Sequence, residues 1–194
     1  NKQITTGEGG MCVVNNKELA ERCKSLRNLC FNNEKRFIHD ELGWNYRMTN
    51  MQAAIGVAQI EKLQVHVRRK REIAKLYKKL IRFNNCINMS VDSTSYSENI
   101  YWVIGILICD NCKYSAKDAM NYLSEYGVGV RPFFYPLDMQ PAFDMTTFVK
   151  KGHNPNSRKL YEKGFYIPSG LGITNNQIIQ VSNRVNKMIV DFTN

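Results

Sequence analysis

The longest helical pattern in the chain runs from Thr49 to about Ile81, and it limits the folds open to the rest. Thr49 or Asn50 supplies an N-cap. Ala53, Ala54, Ala58, Ile60 and Leu63 then give a small-residue face suited to close packing. A break is expected near Gln64. Beyond it His66-Val67-Arg68-Arg69-Lys70-Arg71, with Lys75, Lys78 and Lys79, alternates with Ile73, Leu76, Tyr77 and Leu80, which reads as an amphipathic helix with a charged, solvated outer face. A net charge of +10 invites a nucleic-acid reading. That reading rests on this stretch alone, because no helix-turn-helix or RNA-binding signature accompanies it.

Around this helix the periods alternate. Ile4-Thr5-Thr6 and Met11-Cys12-Val13-Val14 are expected as short strands about Gly7-Glu8-Gly9-Gly10. A helix over Lys17 to Leu29, capped by Asn15 or Asn16, follows. Residues Cys30 to Thr49 carry neither period, and a loop of that length inside a compact protein is often functional. Asn84 to Asn99 is polar and loop-like, and places a boundary between 1–84 and 85–194. Ile100 to Cys109 reads as a strand, Ala116 to Tyr126 as a helix capped by Ser115 and stopped by Gly127, and Val128 to Arg131 as a short strand. Arg131-Pro132-Phe133-Phe134-Tyr135-Pro136 is stiffened by its prolines. A short helix over Asn154 to Lys163 and a strand at Phe165-Tyr166-Ile167 follow. The last helix is capped by Thr174, Asn175 or Asn176 and turns Ile178, Val181, Val185 and Ile189 inward. The order implies a mixed α/β architecture with a small C-terminal sheet.

Composition narrows the function. The chain has 194 residues, 43% of them hydrophobic, which is enough to bury a core. The apolar run Tyr101 to Cys109 is too short to span a bilayer, and no basic-then-apolar leader opens the chain, so a cytoplasmic protein is expected. The first residue is Asn1 rather than Met, and the opening already reads as the middle of an element, which predicts a piece of a longer protein. Of six cysteines, only Cys109 and Cys112 form a CxxC. No second pair at metal spacing accompanies it, and Asp110-Asn111 reads as a turn, so free thiols rather than a metal or redox site are expected.

Two stretches then carry a family resemblance: Lys2-Gln3-Ile4-Thr5-Thr6-Gly7-Glu8-Gly9-Gly10-Met11, and Glu41-Leu42-Gly43-Trp44-Asn45-Tyr46-Arg47-Met48-Thr49-Asn50-Met51-Gln52-Ala53-Ala54-Ile55-Gly56. Together they resemble the signature of the DegT/DnrJ/StrS-type nucleotide-sugar aminotransferases, which are fold-type I pyridoxal phosphate enzymes and usually dimers. Arg131 to Leu137, Gln140-Pro141-Ala142 and Ile167-Pro168-Ser169-Gly170 are similar to the same family, most of all to its perosamine-synthase branch. The resemblance implies the C-terminal portion of such an enzyme, with the end of the large domain and its linking helix over 1–84 and a small α/β domain over 85–194.

The resemblance also implies roles. Lys2 is the lysine that forms a Schiff base with pyridoxal 5'-phosphate and moves a proton during transfer, which requires a neutral amine and therefore burial or neighbouring charge. Asn45 is the asparagine that reaches a partner's cofactor phosphate across a homodimer. Its amide suits a phosphate oxygen. Arg47 offers a planar fork to a carboxylate or phosphate. With His39, Arg131 and Tyr135 it forms the substrate-side set. Tyr101 and Trp102 are either pocket or core residues. The reaction implied is transfer of an amino group, with glutamate as donor, to a nucleotide-linked 4-keto-6-deoxy sugar. Lys2 argues against the family's dehydratases, in which histidine stands there. The family's aspartate for the pyridine nitrogen, its ring-stacking aromatic and most of its phosphate cradle have no counterpart here. By itself the chain is therefore expected to be a poor enzyme with exposed apolar surface. A non-catalytic dimerisation or interaction remnant stays open as the alternative.

Overall fold

The computed structural model describes residues 2–143 except 33 and 36, together with 152 and 154–193. It divides into two compact units, Asn1–Gln64 and Val65–Asn194. This division lies at the break expected near Gln64, whereas the boundary drawn at 84/85 follows composition. The two differ because the helix after the break carries Ile73, Ala74 and Tyr77, which belong to the core of the second unit.

In the first unit, helix α1 (Lys17–Arg27) is capped by Asn16, whose side chain accepts from the Leu19 N–H. It stops two residues short of Leu29, because Leu29 and Cys30 take positive φ values of 64° and 48°. Helix α2 (Asn50–Glu61) opens on a capping box between Thr49 and Gln52. Neither helix buries a residue, and Met11, Val13, Leu42 and Met51 are each more than three-quarters exposed. The expected strands at Ile4–Thr6 and Met11–Val14 do not form. A strand needs a hydrogen-bonded neighbour, and among the described residues these segments have none.

The second unit holds the core. Helix α3 (Leu63–Leu80) follows the break at Lys62. Strands β1 (Ile87–Met89), β2 (Ile104–Ile108), β3 (Arg131–Pro132) and β4 (Gly164–Ile167) form one antiparallel sheet in the order β1-β2-β4-β3. Ile104, Ile106 and Ile108 of β2 and Phe165 and Ile167 of β4 are buried, and join Ala119 and Leu123 of helix α4 (Ala116–Glu125) and Ile178, Val185 and Met188 of helix α6 (Asn175–Thr193). Helix α5 (Pro155–Lys163) packs near β4. Ser115 caps α4 through a box with Asp118, and Thr174 does the same for α6 with Gln177. Residues Asn84 to Asn99 are not loop throughout, since β1 lies among them and pairs with β2. The strand expected over Val128–Arg131 forms instead at Arg131–Pro132, and that over Ile100–Cys109 shortens to Ile104–Ile108. Tyr101 turns the chain at φ 50° and sends its hydroxyl to Asp92. Asp110-Asn111 is a turn, with the Cys112 N–H donating to the Cys109 carbonyl at 3.1 Å. No helix among the described residues is long and apolar enough to cross a membrane.

The basic run of α3 is not all solvated face. Lys70 is 5% exposed. Its Nζ donates to the carbonyls of Ser169 (2.6 Å) and Trp102 (2.9 Å) and to Ser169 Oγ (3.1 Å). Arg71 donates to the Asn99 carbonyl and pairs with Glu98, and Lys78 pairs with Asp92. Burial pushes the Lys70 ammonium down to about 8. Below that pH the folded and unfolded chains both hold the proton. Between about pH 8 and the unfolded value near 10.4 only the unfolded chain holds it, so stability rises with pH. Relative to Lys70→Met, the wild type is expected to gain roughly 1–3 kcal/mol over that interval, read by urea denaturation at stepped pH. A flat difference would contradict it.

Candidate functional site

Lys2 stands at the start of an irregular loop that folds back on α2. The Thr6 hydroxyl donates to the Glu8 carbonyl at 2.7 Å, and the Gly7 N–H to Thr5 Oγ1 at 3.1 Å. Gly9 takes φ +151°, and a Cβ there would lie 2.8 Å from Thr6 Oγ1 and 3.0 Å from Met48 Cε, so only glycine fits. The Gln52 side chain donates to the Glu8 carbonyl at 3.1 Å, tying the loop to the first turn of α2. Between loop and helix lies a cavity of about 730 Å³, lined by Lys2, residues 4–11, Met48 and the α2 residues Ala53, Gly56, Val57, Ile60 and Glu61. Lys2 is exposed, so the described residues do not supply the burial expected around its amine.

The second cluster hangs on the end of α1. The last carbonyls of a helix lack partners within it. Here the Trp44 N–H takes the Leu26 carbonyl at 2.7 Å and the Tyr46 N–H takes that of Arg27 at 2.9 Å. Leu29 N–H returns a bond to the Trp44 carbonyl at 3.0 Å. Gly43 makes this crossing possible, since a Cβ there would stand 2.5 Å from the Leu29 carbonyl carbon and the Cys30 nitrogen. Arg22 grips Glu41 with both guanidinium nitrogens, one at 2.6 Å, and holds that carboxyl below the usual range. The backbone of Asn45 and Tyr46 is thereby fixed on α1. Arg47 Nε donates to Asn45 Oδ1 at 3.2 Å, which leaves Nδ2 as the amide's donor end. His39 Nδ1 donates to the Leu29 carbonyl at 2.8 Å, and its ring leans on Phe31 with centroids 5.2 Å apart.

The structure thus brings Asn45 and Arg47 together and seats His39 on the same loop system. These three are not among the residues lining the Lys2 cavity. Arg131 and Tyr135 belong to the second unit. Arg131 is exposed on β3, and Tyr135 is half-buried, edge-on to Tyr161 with centroids 4.9 Å apart. Tyr101 is a core residue at 3% exposure, while Trp102 stacks on Phe134 at 6.0 Å. Sequence reasoning passed over Gln52. Its place three residues after Thr49 marks a capping box, but nothing local marks its bond to Glu8.

Comparison with known proteins gives the family and the fold. A sequence model of the DegT/DnrJ/EryC1/StrS aminotransferase family matches residues 1–186. The chain is 35% identical to a GDP-perosamine synthase of Escherichia coli, over 98% of this chain and 50% of that protein. It is 33% identical to the GDP-perosamine synthase of Vibrio cholerae, over 94% of this chain and 49% of that one. The solved structure of an aminotransferase from Streptoalloteichus hindustanus shares the fold, with a TM-score of 0.82 at 23% identity over 97% of this chain and 50% of that one. The chain spans about half the length of the curated relatives it matches.

Proposed function

Because the chain belongs to the DegT/DnrJ/EryC1/StrS aminotransferase family, we propose that it is the C-terminal portion of a pyridoxal-phosphate-dependent enzyme that transfers an amino group, from glutamate, to a nucleotide-linked 4-keto-6-deoxy sugar. The observation that carries this reading is the Lys2 loop, folded over a cavity against α2. The residues present suit the cofactor in part: a lysine amine at the cavity, and an amide and a guanidinium placed side by side as donors for a phosphate. Bound there, pyridoxal phosphate supplies an aldehyde for the lysine amine and a ring that accepts electron density.

The chain's own residues do the rest. Lys2 holds the cofactor and carries a proton at Nζ. Asn45 donates from Nδ2 to a phosphate oxygen. It stands outside the Lys2 cavity, which supports a role toward the site of a second copy in a homodimer. His39, fixed through Nδ1, offers Nε2 to the sugar, and Arg47 offers its fork to a substrate anion. Within the second unit, Arg131 and Tyr135 are the substrate-side candidates. A second reading, a non-catalytic dimerisation module, draws on the exposed apolar side chains of the first unit.

Incubation of the purified full-length protein, of which this chain is the proposed C-terminal portion, with pyridoxal phosphate, glutamate and a GDP-linked 4-keto-6-deoxy sugar distinguishes the two. Mass spectrometry is expected to show the keto oxygen replaced by an amino group. A folded dimer that takes up no cofactor and makes no amino sugar would favour the module instead.

A further inference from the structure

The amide of Gln52 has both ends engaged, on two different segments. Oε1 accepts from the Thr49 N–H at 3.0 Å and the Thr49 hydroxyl at 3.1 Å, and the Gln52 N–H donates to Thr49 Oγ1 at 3.2 Å. These bonds close the box that starts α2. Nε2 donates to the carbonyl of Glu8 at 3.1 Å. That carbonyl also accepts the Thr6 hydroxyl, so the bond falls on the turn of the loop behind Lys2.

A capping box requires only an acceptor at this position, and glutamate serves as well as glutamine. A negative charge there would even favour the helix N-terminus. Helix formation therefore does not account for an amide, but the donor bond to Glu8 does. Two close approaches lie on either side of it. A Cβ on Gly56 would meet Thr6 Cγ2 at 3.1 Å, and Met48 Cε closes on Gly9. Gly56 of α2 and Met48, just before the helix, thus lie close to the loop, and Gln52 makes the directional contact.

We propose that Gln52 is a positioning residue for the Lys2 loop. Its Nε2 pins the Glu8 carbonyl to α2, so that the segment carrying Lys2 and the segment running from Asn45 into α2 are held as one piece. The consequence for Lys2 rests on the reading of that residue as the cofactor lysine.

Gln52→Glu separates the two bonds, because it keeps the acceptor of the capping box and removes the donor to Glu8. Hydrogen exchange followed by mass spectrometry reads residues 2–11 and 50–61 separately. In the variant, exchange in 2–11 is expected to quicken about fivefold, the loss of one hydrogen bond, while 50–61 keeps its protection. Attachment of pyridoxal phosphate to Lys2, trapped with borohydride, is expected to slow by a similar factor. Unchanged exchange in 2–11 would overturn the proposal, as would loss of protection in both segments together, which would mean that the residue acts through the helix cap. If the wild type is trapped at a residue other than Lys2, the reading of Lys2 falls, and the exchange result still decides the tie.

Discussion

In the full-length enzyme that carries this chain, Lys2→Ala is expected to reduce amino-group transfer by about a thousandfold or more, and Lys2→Arg to do the same although it keeps the charge. The reason lies in what each side chain can do with a proton. A lysine amine can lose its proton, attack an aldehyde and take a proton back. A guanidinium stays protonated at any working pH, so arginine preserves the electrostatics of the site while removing both nucleophile and base. Alanine keeps the Thr5, Thr6 and Glu8 hydrogen bonds that fold the loop. Initial rates of amino-sugar formation for the three proteins check the expectation. A loss of less than about tenfold in both variants would mean that another group carries the proton.

The largest expected effect on stability is at Tyr77. Its side chain is fully buried, in the core with Ile73 and Ile81, and its hydroxyl donates to the Pro168 carbonyl at 2.8 Å. Truncation removes the ring's packing, leaves a cavity and orphans that carbonyl, so Tyr77→Ala is expected to cost roughly 3–5 kcal/mol. Tyr77→Phe removes the hydroxyl alone and is expected to cost about 1 kcal/mol. The pair also tests how the turn before α6 is held, since Tyr77 and Lys70 on α3 both grip Pro168-Ser169. Urea denaturation of the second unit's transition reads both. A Tyr77→Ala cost near 1 kcal/mol would show that the core closes over the gap.

What could be read from the sequence was local. The caps at Thr49, Ser115 and Thr174 each depend on a residue three positions on, and a short window contains both partners. The apolar stripe of α6 follows from its period. Strands were harder, because a strand is defined by a neighbour distant in sequence. Ile4–Thr6 and Met11–Val14 have strand-like residues and no partner among those described, while β1 is three residues in a polar stretch and forms because β2 lies beside it. Lys70 was assigned to the solvated face by its chemistry. Its spacing to Ile73, Ala74 and Tyr77 places it on the buried stripe, and that period was the signal available. At the candidate site, Lys2, Asn45 and Arg47 stand out as candidates because the motifs that carry them are contiguous. The bond from Gln52 to Glu8 joins residues far apart in the chain, and no pattern marks it.

The central claim is that Lys2 is the residue through which the protein holds pyridoxal phosphate. The most direct test is to mix the purified full-length protein that carries this chain with the cofactor, reduce with borohydride, digest, and map the modified residue by mass spectrometry. The account predicts one dominant modified peptide, with the label on Lys2. Label spread over exposed lysines such as Lys75 and Lys79, or none in a protein shown to be folded, would contradict it.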